Sequence, residues 1–155
     1  MLSKLLRTDK DVAGLVLRVL LGVVMFPHGA QKLFGWFHGN GFVGTMNWFH
    51  QVRGIPFTFA FLAIVAESFG SLGLIAGLLT RVAAFGVACV MVVAALTLHL
   101  QNGFFMNWAQ RQAGEGFEYH ILVLAITIAL MIKGGGLWSA DGVIAEKLEA
   151  GKQPS

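Results

Sequence analysis

The sequence is poor in charged residues. Only 12% of its 155 residues are Asp, Glu, Lys or Arg, whereas a soluble domain carries about a quarter. Hydrophobic residues make up 56% of the chain, and the mean hydropathy is +0.71. This composition argues against a soluble globular domain. We expect an integral membrane protein that contacts the lipid bilayer.

Cysteine and runs of one charge are also scarce. Cys89 is the only cysteine, so the chain can form neither an internal disulfide nor a CxxC redox pair. We expect Cys89 to be a small buried apolar residue. The net charge is +3, but the basic residues are scattered between apolar stretches. Membrane topology explains that distribution, and no nucleic-acid partner is predicted.

Four long apolar stretches alternate with segments rich in glycine, proline or polar residues. Each is close to the length of about 20 residues that an α-helix needs to cross a bilayer. We predict one all-α membrane domain over residues 1–155, a four-transmembrane-helix bundle with spans at 12–34, 57–79, 82–101 and 118–138. The first stretch is too long for the apolar region of a cleaved signal peptide, which is not expected.

Two shorter segments are predicted to be interfacial helices. After the first span, Phe42, Val43, Met46 and Phe49 recur at helical spacing, which is typical of a short helix lying at the membrane surface. At the C-terminus, Ser139 has the chemistry of a helix N-cap and precedes a second short amphipathic segment.

Lys and Arg are concentrated at one end of the predicted bundle. An even number of spans places both termini on the same side. That side carries Lys4, Arg7, Lys10, Arg81, Lys133, Lys147 and Lys152, and the other carries Arg53 and Arg111, with Lys32 near it. The positive-inside rule therefore predicts that both termini are cytoplasmic.

A few ionisable residues lie inside the spans, where charge is costly. Arg18, His28 and Lys32 fall within an arc of about 80° on the first span at 100° per residue. Glu67 lies near the middle of the second span and needs either a proton or a cationic partner. Arg18 is the candidate partner, although it lies about 9 Å away in depth.

The predicted topology brings polar residues of several spans to one depth, at the end of the bundle away from the termini. His28 and Lys32 of the first span, His99 of the third and Glu118 of the fourth meet there. Glu67, His28 and His99 are the candidate catalytic residues. The candidate cofactor-binding residues are His28, Lys32, His99 and Glu118.

Other interpretations of the same residues stay open. Glu118 and His120 are equally well explained as polar residues that mark the end of a span. A haem between His28 and His99, or a metal bound by these histidines and Glu118, is a weaker alternative. Two histidines at matching depth are more often hydrogen-bonded core groups, and we predict no metal site.

The ordered set of motifs resembles the DoxX family of small bacterial inner-membrane proteins. The matching pieces cover most of residues 15–142 and read LRVLLGVVMFPHGAQKLFG, AESFGSLGLIAGLLTRVAAFGVACVMVVAALTLHLQNGFF, FEYHILVLAITIAL and GGGLWSADG. The family-like positions are Arg18, His28, Gly29, Lys32, Glu67, Arg81, His99, Glu118, Tyr119, Gly136, Ser139 and Asp141.

The resemblance implies a four-helix bundle in the bacterial inner membrane and an association with redox biology. The family takes its name from a subunit of a thiosulfate:quinone oxidoreductase, but membership does not settle whether a chain is itself an enzyme. We therefore expect an integral membrane subunit of a redox system that binds quinone or relays electrons from a periplasmic partner. Histidine and lysine can donate hydrogen bonds to quinone carbonyls, and a glutamate can relay protons.

The alternative is a non-catalytic subunit that anchors or stabilises a larger membrane complex, with a protein partner or a second copy of the chain. The buried charges would then fix the helix register. A transporter is less favoured, because four spans are few and no inverted repeat is visible.

Overall fold

The computed structural model describes residues 5–151, and over that range it contains helices and loops but no strand. The helices are α1 (Val12–Phe34), α2 (Gly41–Asn47), α3 (Phe57–Ala76), α4 (Thr80–Ala94), α5 (Glu118–Lys133) and α6 (Ala140–Ala150). A π-helical turn at Trp48–Val52 extends α2. A π-helical segment at Ala95–His99 and a 3-10 turn at Leu100–Asn102 extend α4.

Three helices are long and apolar enough to cross a membrane, and they cover Val12–Leu33, Phe57–Ala76 and Thr80–Asn102. The all-helical membrane class is thereby confirmed. Helix α5 begins at Glu118 as predicted but ends at Lys133, because the next residue, Gly134, leaves the helical conformation at φ 85°. The fourth crossing stays a prediction. Cys89 is exposed, so the expectation that it is buried was wrong; an outward apolar face is not penalised in lipid.

The long helices form a ring in which α1 packs against α3 and α5, and α4 packs against the same two helices. Glycines let α1 approach α3 closely. A Cβ on Gly29 would lie 2.6 Å from the backbone of Glu67, and one on Gly22 would lie 2.7 Å from the Ser71 carbonyl. Small residues allow such backbone proximity, and here they bring the last turns of α1 against the middle of α3.

The segment between α1 and α3 is helical, as its apolar spacing predicted. Met46 and Phe49 are buried there and pack against Ala60 and Ile64 of α3. This contact holds α2 and its π-helical turn against the bundle, at the end where α3 begins. Its position relative to the membrane surface stays a prediction.

Arg18 organises the end of the bundle nearest the chain termini. Its side chain is buried, with 2% exposure. The guanidinium donates hydrogen bonds to the carbonyl oxygens of Leu74, Ile75, Gly135, Leu137 and Trp138 at distances of 2.5 to 3.2 Å. These carbonyls end α3 and form the loop after α5, where the backbone lacks helical partners. The prediction that Arg18 pairs with Glu67 was therefore wrong.

Other family-like residues at this end also satisfy helix termini. The Asp141 carboxylate accepts hydrogen bonds from the amides of Leu79 and Thr80 at 2.7 and 2.8 Å, at the start of α4. Arg81 donates to the carbonyl of Met131 at 2.9 Å, at the end of α5. Ser139 caps α6, as predicted, by accepting from an amide at 3.1 Å. These side chains hold the helices together.

Candidate functional site

A groove of about 1930 Å³ opens between α1, α3, α4 and α5 and reaches the end of the bundle opposite the termini. We call its polar end the distal cavity. It is lined by all the predicted site residues, namely His28, Lys32, Glu67, His99 and Glu118. The walls around them are mostly apolar. All five residues line the same groove, while their chemical roles stay predictions.

An ion pair between α1 and α3 forms one wall of the distal cavity. The Nζ atom of Lys32 lies 2.5 Å from Oε2 of Glu67. Glu67 is only 3% exposed, and a buried carboxylate requires a partner of this kind. Lys32 reaches it because Gly29 allows the two backbones to touch. The expectation that Glu67 has a cationic partner is met, but by Lys32 instead of Arg18.

His28 stands next to this ion pair. Its backbone carbonyl oxygen lies 3.4 Å from Nζ of Lys32, and its imidazole lines the distal cavity. The side chain is exposed to the cavity, so it is available to a ligand.

His99 lies in the π-helical segment that extends α4, a distortion that is frequent at functional sites. Its Nδ1 atom is 2.8 Å from the carbonyl oxygen of Glu115. The same carbonyl accepts a hydrogen bond from the Asn102 side chain at 3.0 Å. The loop between α4 and α5 therefore fixes the orientation of the His99 ring.

His120 joins the site although it was not among the predicted site residues. Its ring centroid lies 4.3 Å from that of His99, with 45° between the planes. It is 6% exposed, and within the described chain its Nδ1 atom has no hydrogen-bond partner. The signal was present in the sequence, because His120, Val123, Thr127 and Leu130 share the buried face of α5.

Glu118 and Tyr119 complete this side of the distal cavity. Glu118 accepts a hydrogen bond from the amide of Met106 at 2.9 Å, so its carboxylate also holds the loop before α5. The Tyr119 hydroxyl lies 3.9 Å from the Met25 sulfur, within the bundle. Glu118 thus shares its carboxylate between loop and cavity.

The arrangement combines an apolar groove with groups that donate, accept or transfer protons. Such a site suits a small polar head group attached to an apolar tail. Residues 5–151 hold no group of three or more His, Cys, Asp or Glu side chains placed to bind a metal ion.

Comparison with known proteins gives one family and two curated relatives. The DoxX family model matches residues 13–100. "Putative oxidoreductase CatD" of Bacillus subtilis (strain 168) is 28% identical over 120 residues, which are 77% of this chain and 79% of that protein. "Inner membrane protein YqjF" of Escherichia coli (strain K12) is 26% identical over 138 residues, 89% of this chain and 96% of that protein. No solved structure matches.

Proposed function

Since this chain belongs to the DoxX family, we propose that it is an integral membrane subunit of a redox system and that its distal cavity binds the head group of a quinone. One observation carries the proposal. Glu67 is buried, and its ion pair with Lys32 borders an open groove lined by four histidines. A pair serving only the fold has no need of access to a cavity.

The proposed topology is a four-helix bundle in the bacterial inner membrane with both termini in the cytoplasm. In this topology α5 is the fourth span, which its packing against α1 and α4 supports; its 16 residues extend about 24 Å, so the crossing includes residues after Lys133. Helices α2 and α6 lie at the two membrane surfaces. The excess of Lys and Arg on the side of the termini supports this orientation. The name of the Escherichia coli relative, an inner membrane protein, supports the location.

The side chains of the distal cavity suit the chemistry of quinone binding. A quinone carbonyl needs a hydrogen-bond donor, which the Lys32 ammonium or a histidine supplies. Reduction of the ring consumes protons, and in this proposal His28 donates them while Glu67 relays them through its ion pair with Lys32. The apolar groove accommodates the isoprenoid tail. The chain has neither a dithiol nor a flavin motif, so in this proposal the electrons come from a periplasmic partner. The oxidoreductase name of the Bacillus subtilis relative agrees with a redox function.

A second candidate is a non-catalytic subunit that anchors or stabilises a larger membrane complex. The use of Arg18, Arg81 and Asp141 to join helix ends favours it, because it indicates that buried charge in this bundle can serve the fold alone. The Lys32–Glu67 pair would then be one more such contact.

The test is to purify the protein in mild detergent and measure bound quinone by mass spectrometry of a lipid extract. We expect a quinone in the wild-type protein and its loss in Glu67→Gln and His28→Ala, with folding retained. The control is Glu146→Gln, which alters a surface partner of Lys10 and should leave the quinone in place. An extract without quinone, together with a stoichiometric protein partner, would favour the anchoring role.

A further inference from the structure

The hydrogen bond at His99 determines which ring nitrogen carries the proton. A backbone carbonyl oxygen can only accept, so the contact of 2.8 Å to the Glu115 oxygen requires a proton on Nδ1. In the neutral ring the other nitrogen, Nε2, is then a hydrogen-bond acceptor. His99 lines the distal cavity, and with Nδ1 bonded to the loop, Nε2 is the ring nitrogen left for a ligand.

The loop between α4 and α5 is built to hold that carbonyl in place. The Asn102 side chain donates to the same Glu115 oxygen at 3.0 Å. The Glu115 carboxylate accepts from the amide of Asn107 at 2.5 Å, and the Glu118 carboxylate accepts from that of Met106 at 2.9 Å. Four hydrogen bonds thus converge on the segment that fixes one tautomer of one histidine.

His120 gives the second, independent observation. The residue is 6% exposed, and its ring packs against that of His99 with the centroids 4.3 Å apart. Its Nδ1 atom lacks a partner within residues 5–151. Buried polar groups usually find hydrogen bonds, so an unpartnered nitrogen beside His99 marks a place where the fold leaves polar groups incompletely paired. The nitrogen itself is enclosed by protein, and the contact to a ligand is made by His99.

We propose that His99 and His120 form a subsite that recognises a hydroxyl group, and that the distal cavity therefore binds the hydroquinone form of its ligand in preference to the quinone form. This rests on the proposed function. A hydroquinone hydroxyl donates to Nε2 of His99. A quinone carbonyl cannot donate, and its lone pairs would face the lone pair of Nε2. An acceptor left unpaired in an apolar site discriminates against the wrong ligand.

The experiment compares the binding of a short-tailed benzoquinone and its hydroquinone to the purified full-length protein, without oxygen. We expect the hydroquinone to bind about tenfold more tightly, the effect of one additional hydrogen bond. In His99→Asn the amide N–H can still reach the Glu115 carbonyl, but Nε2 is removed. We expect the ratio of the two dissociation constants to fall close to one.

His50→Asn is the matched control. His50 also lies in a π-helical turn, and its Nδ1 atom also faces a carbonyl, that of Ile55 at 3.3 Å, but it is not part of the cavity wall. Its replacement should leave the preference unchanged. Because His99→Asn can reduce folding, a second measurement uses wild-type protein labelled with ¹⁵N-histidine. The Nε2 resonance of His99 should be that of an unprotonated nitrogen and should shift on addition of hydroquinone.

The outcomes separate the two proposals. If neither form binds to the wild-type protein, the proposed quinone function fails. If both forms bind equally, or the quinone binds more tightly, the hydroxyl subsite is refuted while quinone binding stands. A protonated Nε2 in the labelled protein would also refute the subsite.

Discussion

Replacing Arg18 should cost this bundle more stability than replacing any surface charge. The guanidinium joins α1 to the end of α3 and to the loop after α5 through five hydrogen bonds to carbonyls. Hydrogen bonds to a charged group contribute about 1.5–3 kcal/mol each. Lysine keeps the charge but has three donors at most, so Arg18→Lys loses at least two bonds. The expected destabilisation is therefore about 3–6 kcal/mol.

The assay is thermal unfolding in mild detergent, followed by circular dichroism. A destabilisation of that size should lower the midpoint by about 6–24 °C, because about 1 kcal/mol shifts the midpoint of a domain of 150 residues by roughly 2–4 °C. Lys10→Gln, which removes an exposed charge near the same end, is the control and should change little. An unchanged midpoint in Arg18→Lys would refute the argument that backbone carbonyls depend on this side chain.

Three further perturbations test the packing, the ion pair and one helix cap. Gly29→Ala would place a Cβ 2.6 Å from the Glu67 backbone, so it should destabilise by about 1–3 kcal/mol, whereas Gly70→Ala, with 3.8 Å of clearance, should not. Lys32→Gln leaves the buried Glu67 carboxylate unpaired and should lose about 3–5 kcal/mol, whereas Glu67→Gln leaves Lys32, whose side chain is 24% exposed, and should lose less. The double variant should recover most of that stability without regaining quinone; recovery of both would make the pair purely structural. The Asp11 carboxylate accepts a hydrogen bond from the amide of the third residue along, at 2.7 Å, which lowers its pKa from the ordinary 3.8. The contribution of Asp11 to stability is present above pH 3.8 and is lost as the pH falls through the lowered pKa. Asp11→Asn should therefore weaken the dependence of the melting temperature on pH in the acid range. An unchanged dependence would contradict this.

Hydropathy predicted the helices well because apolar length is what the bilayer demands. It also predicted that His28, Lys32 and His99 share a cavity, since the depth of a residue follows from its distance along a helix. The sequence pattern did not predict the partner of Glu67. Arg18 was assigned by charge, and its real partners are backbone carbonyls that no residue identity reveals. Lys32 reaches Glu67 because of the close approach at Gly29, which is a property of packing.

Polar side chains at the two ends of the bundle have different bonding partners, and this difference is relevant to the proposed function. At the end near the termini, Arg18, Arg81 and Asp141 form hydrogen bonds with the backbone atoms that end or begin helices. At the distal end, His120 has an unpartnered nitrogen in the described chain, and His99, which lines the cavity, has one ring nitrogen bonded to the loop. Incomplete pairing by itself does not identify a ligand site, because the buried Thr80 hydroxyl near the termini also lacks a partner within residues 5–151. His99 differs from the Thr80 hydroxyl because its ring lines the cavity, and the proposed subsite therefore rests on His99.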